Sequence, residues 1–233
     1  MRFQDAAPDA RAIVYAGIQA DQLVARAAEL LADANAEQRL LARAVMNGES
    51  VDAAAWRVVF PSLFDRSPAT AGVDAERSEA ILAVSLAVAD RGEQVRSQYR
   101  GAMVEALTER LLRRGVAGPG TGASVRRERR ILFDGVRAEI HPYDVTVETP
   151  GSAAAVDCKW GARGISADVL HQLDDARTHA ADEDEGLIVA LVVFDAERSC
   201  AARLDRLTAP HEATRIIGLE SLDTLATPLV PAS

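Results

Sequence analysis

Asp144, Asp157 and Lys159 are the residues of this chain whose types and spacing best suit a reaction. Asp144 sits in the run Pro142-Tyr143-Asp144, and thirteen residues later comes Asp157-Cys158-Lys159. Lys159 is the single lysine of a chain that otherwise carries twenty-five arginines. A compact ammonium on a flexible stem is not interchangeable with a broad, planar guanidinium, so a lysine kept in this background points to a place that needs a point charge. Two carboxylates supply hard oxygen ligands for Mg²⁺, which prefers octahedral oxygen coordination and keeps several waters. Such an ion polarises a phosphoryl oxygen and helps generate hydroxide. The ammonium orients the attacking water or offsets negative charge in the transition state. Phosphodiester hydrolysis is the matching reaction.

Strands must position these groups, because residues two apart on a strand share a face. Strand candidates run over about 124–133, 138–148 and 153–159. In the second, Tyr143, Val145 and Val147 form an apolar set and leave Asp144, Thr146 and Glu148 opposite; in the third, Asp157 and Lys159 share a face away from Val156 and Cys158. Pairing through a turn at Pro150-Gly151 brings Asp144 towards Asp157. A helix from Ser166 to about Ala181, a buried strand at Leu187–Phe194, and a short strand and helix at Thr214–Gly218 and Ser221–Ala226 complete the set.

The upstream residues read as helices. A stretch over 9–34 places Ile13, Leu23, Ala27, Leu30 and Leu31 on one stripe behind a start signal at Pro8 and Asp9, and further helices fall at 36–46, 51–60 and 74–90, the last two opened by Ser50 and Asp74. Pro61–Gly72, with Pro68, is a loop, and no β-rich run precedes residue 120. Trp56, Phe60, Leu63 and Phe64 read as core. One long helix at 94–114 ends in Arg113-Arg114-Gly115, cations at the negative end of the dipole, and Gly118–Gly122 connects it to the strands. The expected architecture is α/β (α+β): an all-helical N-terminal module over residues 1–92, then a mixed central sheet flanked by helices over 93–233.

At 233 residues and 48% apolar content the chain can fill a proper core. Two cysteines, no apolar leader and no run of about eighteen apolar residues point to a cytoplasmic protein with no membrane span. The net charge of -9 hides a basic band: residues 96–133 hold nine arginines against three acids. Arg126, Arg127, Arg129 and Arg130 in that band are candidate contacts to nucleic-acid phosphates. Asp182–Glu185 lacks calcium-loop spacing and reads as a solvated helix end. His171 and His179 lie too far apart on one helix to chelate a zinc ion. Residues 36–60 could form a helix-turn-helix about Asn47-Gly48, but Arg57 alone equips it poorly for DNA. Dimerisation or docking to a partner protein suits the N-terminal helices better.

Pro142-Tyr143-Asp144 followed by Asp157-Cys158-Lys159 resembles the signature of the PD-(D/E)XK nucleases, the restriction-endonuclease-like fold, over about residues 95–226. Glu105, in Arg100-Gly101-Ala102-Met103-Val104-Glu105, matches the glutamate that the family often carries on the helix before the first core strand. Glu109 lies one turn further on the same stripe. Gln172, in Val169-Leu170-His171-Gln172-Leu173, matches a glutamine common after the lysine strand, with His171 beside it. Tyr143 departs from the literal signature by separating proline from aspartate. The resemblance implies a Mg²⁺- or Mn²⁺-dependent endonuclease acting on DNA, of the kind used in restriction or anti-phage defence. It implies Asp144, Asp157, Glu105 and the Cys158 carbonyl around the metal, Lys159 at the water, and Gln172 beside them. The other reading is a catalytically idle nuclease fold that binds nucleic acid or serves as an assembly subunit.

Overall fold

The computed structural model describes residues 1–6, 10–48, 50–65, 73–117, 122–133, 136–137 and 141–229. The chain divides into one unit of Ala10–Leu107 and another of Met1–Asp9 with Thr108–Ser233. The boundary falls inside a helix, later than the expected break at residue 92. The start signal at Pro8 and Asp9, the Pro68 segment, the Gly118–Thr121 part of the connection and the first residues of the 138–148 strand lie outside the described residues.

The first unit is helical. Where one helix over 9–34 was expected there are two, α1 (Ala10–Gln19) and α2 (Gln22–Ala32). The break is at Asp21, whose backbone is extended and whose side chain accepts from the Leu23 N–H at 2.8 Å, an N-cap for α2. Val24, Ala27, Ala28 and Leu31 form the buried stripe of α2, with Leu23 and Leu30 half-buried. Ile13, expected on the same stripe, lies on the separate helix α1 and is 66% exposed. A capping box between Asn35 and Gln38 opens α3 (Ala36–Asn47).

Asp52, not Ser50, caps α4 (Ala53–Val59), a helix with no fully buried residue. Of the four aromatic and leucine side chains expected in a core here, only Leu63 is buried. The helix is too short to present a full apolar stripe. Helix α5 (Val73–Ala89) packs on α2 and α3 and buries Ile81 and Leu82. The Gln38 amide reaches the Asp74 carbonyl and the Ser78 hydroxyl, each at 3.0 Å. Helix α6 (Glu93–Gly115) begins in this unit, where its Tyr99 hydroxyl donates to Asp21.

Among the described residues the second unit is a seven-stranded mixed sheet with helices, an α/β arrangement. Strand β1 (Arg2–Asp5) lies antiparallel to β2 (Ser124–Phe133), with Arg2 across from Leu132 and Asp5 across from Arg129. This strand corrects the reading of residues 1–92 as wholly helical. Four residues of mixed polarity carry no legible period, and only the partner edge makes them a strand. Strand β3 (Val136–Arg137) pairs with the far end of β2. Strands β4 (Tyr143–Thr149) and β5 (Ser152–Lys159) form a hairpin, and β6 (Gly186–Val193) and β7 (Arg215–Ile217) add in parallel, giving the order β1-β2-β4-β5-β6-β7. Helix α7 (Ala167–Asp182), N-capped by Ser166, makes the crossover from β5 to β6, and α8 (Glu197–Leu204) follows β6. Helix α8 was not anticipated. It buries only Cys200 and Leu204, too few apolar positions to show a stripe.

One cluster fills the space between α7 and the sheet, with Ile131, Phe133, Tyr143, Ala153, Ala155, Val189, Leu191 and Val193 from the strands and Leu170, Leu173 and Ala176 from the helix. Tyr143 belongs to this cluster; Val145 and Val147 are buried but stand outside it. The single apolar face expected for all three is therefore broken. Glu128, at φ 51, interrupts the β2–β4 ladder between the Arg127–Val145 and Arg129–Tyr143 pairs, with the register unchanged on either side. Among the described residues no helix is long and apolar enough to cross a membrane.

Candidate active site

The β4–β5 hairpin sets the geometry. Its two-residue turn, Pro150-Gly151, has Gly151 at φ 88, which a glycine adopts at no steric cost. The turn fixes the register, Thr149 across from Ser152 and Val145 across from Val156. One residue further, the regular ladder gives way to side chains. The Cys158 N–H donates to Asp144 Oδ2 at 2.6 Å and to Asp157 Oδ1 at 2.9 Å. Two oxygens that share one N–H cannot lie further apart than those two bonds laid end to end, so the carboxylates converge at the end of β5. Lys159 Nζ donates to Asp157 Oδ1 at 2.7 Å. Burial disfavours the Lys159 ammonium, but the charge of Asp157, then that of Asp144, outweighs it and raises its pKa above the ordinary 10.5. The two carboxylates thus favour the ammonium form of this lysine, a donor.

The chain after Lys159 holds the lysine from outside the hairpin. A short 3₁₀ turn, Ala162–Gly164, brings Gly164 against the Lys159 stem. A Cβ placed on Gly164 would lie 3.1 Å from Lys159 Cβ and Cδ. Asp195, 8% exposed, anchors this turn by accepting from the Ala162 N–H at 3.0 Å and the Ala196 N–H at 2.9 Å. Trp160 stacks on Phe194 with centroids 5.1 Å apart, and the Phe194 N–H donates to the Lys159 carbonyl at 2.8 Å. Sequence reasoning missed Gly164 and Asp195. The signal that was there is the isolated Asp195 directly after the apolar run of β6, a strand-end acid with backbone N–H groups to satisfy.

Gln172 lies on α7, half-buried, and its amide donates to the His141 carbonyl at 3.2 Å, just before the Pro142-Tyr143-Asp144 run. His171 is exposed. Glu105 falls in the helical unit, where its two oxygens accept from the Tyr15 hydroxyl at 2.6 Å and the Gln19 amide at 2.7 Å. Glu109 falls in the sheet unit and pairs with Arg113 and Arg127. Of the expected phosphate contacts, Arg127 is thus bound to Glu109, and Arg129 to Asp5 and Glu148. Arg130 is half-buried, while Arg126 is exposed and borders, with Arg113, a cleft of about 440 Å³. Cys158 and Cys200 are both buried, and Cys158 Sγ lies 3.5 Å from the Thr108 hydroxyl.

Among the described residues no three His, Cys, Asp or Glu side chains form a metal cage. Two convergent carboxylates nevertheless fit an ion such as Mg²⁺, which takes one or two carboxylates and completes its shell with water and phosphate. Scans against known protein families, curated proteins and solved structures each find no match to this chain.

Proposed function

We propose that this chain is a PD-(D/E)XK-type nuclease with the restriction-endonuclease-like fold, hydrolysing DNA phosphodiester bonds with Mg²⁺ or Mn²⁺ in restriction or anti-phage defence. The observation that carries the reading is the convergence of Asp144 and Asp157 on the Cys158 N–H with Lys159 Nζ 2.7 Å from Asp157. Asp144 and Asp157 would hold the ion, with the Cys158 carbonyl. The ion when bound supplies Lewis-acid polarisation of the phosphoryl group and a more acidic water. Lys159, positioned by its bond to Asp157, donates to the attacking water or to a non-bridging phosphate oxygen as charge develops. Gln172 braces the backbone ahead of Asp144.

Plasmid incubated with the protein and Mg²⁺ or Mn²⁺ tests this. Cleavage by the wild type that is lost in Asp144→Asn, Asp157→Asn and Lys159→Ala supports it, and equal inertness of wild type and Lys159→Ala with both metals overturns it. The second reading, an idle nuclease fold that binds nucleic acid or acts as an assembly subunit, draws on Glu105. Both oxygens of that expected metal ligand already accept hydrogen bonds from Tyr15 and Gln19.

A further inference from the structure

The 3₁₀ turn that braces Lys159 has a second side. Ala162 and Arg163 of the turn, with Ser199, Ala202, Arg203 and Arg206, line a cleft of about 480 Å³. Positions 199, 202, 203 and 206 recur at steps of three and four, so they fall on one face of α8 and its extension. Ala202 gives that face a small floor, and Ser199 adds a hydroxyl. Three guanidiniums converge there, and among the described residues none of them makes an ion pair. Asp205, the acid closest in sequence, does not line the cleft. This contrasts with Arg127 and Arg129, whose charge is met by carboxylates.

Uncompensated arginines around a cleft, in a chain of net charge -9, describe an anion site rather than a generally basic surface. The planar fork of a guanidinium suits phosphate oxygens, which it can meet with two parallel bonds. Arg203 is already positioned, its Nε donating to the Ile165 carbonyl at 2.9 Å, which leaves its terminal nitrogens for a ligand in the cleft. The turn joins the two sites: Gly164 touches the Lys159 stem and Arg163 lines the cleft.

We infer that this cleft is a phosphate subsite for the nucleic-acid backbone, gripping a phosphate of the strand that flanks the one presented to Lys159. The inference rests on the nuclease reading for its ligand. It is separable from that reading, because binding can be measured without hydrolysis.

The test is the double variant Arg163→Gln/Arg206→Gln in the full chain, with Arg203 left in place and folding checked by circular dichroism. Binding of a short fluorescein-labelled DNA duplex is followed by anisotropy in EDTA over a salt series. The expected result is roughly tenfold weaker binding, with the slope of log K against log salt reduced by about 0.9 for each phosphate no longer neutralised. Unchanged affinity and slope would overturn the subsite, as would failure of the wild type to bind the duplex at low salt. Inorganic phosphate or ATP that displaces the duplex at equal ionic strength would assign the cleft to a free phosphate and overturn the strand assignment. If the variant binds as expected but the wild type cuts nothing with Mg²⁺ or Mn²⁺, the subsite stands and hydrolysis falls. If both cut with the same KM and salt slope, hydrolysis stands and the subsite falls.

Discussion

Lys159 holds its place through three interactions of different kinds: an ion pair with Asp157, a stem packed on Gly164, and a carbonyl bound to the Phe194 N–H. Lys159→Arg keeps the charge but needs a wider, planar head on a stem held tightly against Gly164, whose Cβ position would lie 3.1 Å from it. Cleavage should fall on the order of 10²-fold or more, as when one positioned transition-state donor is lost, with duplex affinity in EDTA unchanged. Gly164→Ala pushes on the stem without touching charge. It should lower kcat by roughly tenfold to a hundredfold through misplacement alone, and steady-state kinetics check it.

The raised pKa of Lys159 gives a pH test. A folded value above the unfolded one means the pairing stabilises the protein below the ordinary 10.5, and the contribution is lost as pH rises through the folded value. The stability gap between wild type and Lys159→Gln should stay level from neutral pH to about 10 and close above it, as read by urea titrations.

Asp195 acts between elements, tying the turn after β5 to the end of β6. Asp195→Ala strands the N–H groups of Ala162 and Ala196 and should cost about 2–4 kcal/mol. A thermal melt measures that cost, and impaired duplex binding should accompany it because Arg163 rides on the same turn. In the helical unit, Asp21 caps α2 and accepts the Tyr99 hydroxyl. That hydroxyl, with the Leu23 N–H, lowers the Asp21 pKa, and the Asp21 bond raises the Tyr99 pKa above 10.0. Tyr99→Phe should cost about 1–2 kcal/mol at neutral pH. The deficit should shrink as pH falls below the ordinary aspartate value of 3.8, because the stability carried by a depressed carboxyl is lost on protonation. Most elements were legible, since β2, α7 and β6 announce themselves through period, cap and apolar run. Helix α8 and the break at Asp21 were not, the first for want of buried positions and the second because a cap inside a continuous stripe looks like one more exposed acid.

Across the whole molecule, the chain returns its first residues to the sheet formed by its last hundred or so. Deleting residues 1–6 removes β1 and opens the edge of β2, including the partner that Asp5 gives Arg129. The shortened protein should melt lower and aggregate faster on heating, which light scattering reads directly. The α/β class, the hairpin at Pro150-Gly151 and the grouping of Asp144 with Asp157 and Lys159 can all be read along the chain, because turn chemistry and strand alternation act over neighbouring residues. Folding alone brings β1 into the sheet and sets Asp195 and Gly164 around the lysine. It also leaves the arginines of the α8 cleft clear of carboxylates among the described residues, while Arg127 and Arg129 are neutralised. Those outcomes depend on groups far apart in the chain, and charge compensation cannot be read from a run of arginines until their partners are in place.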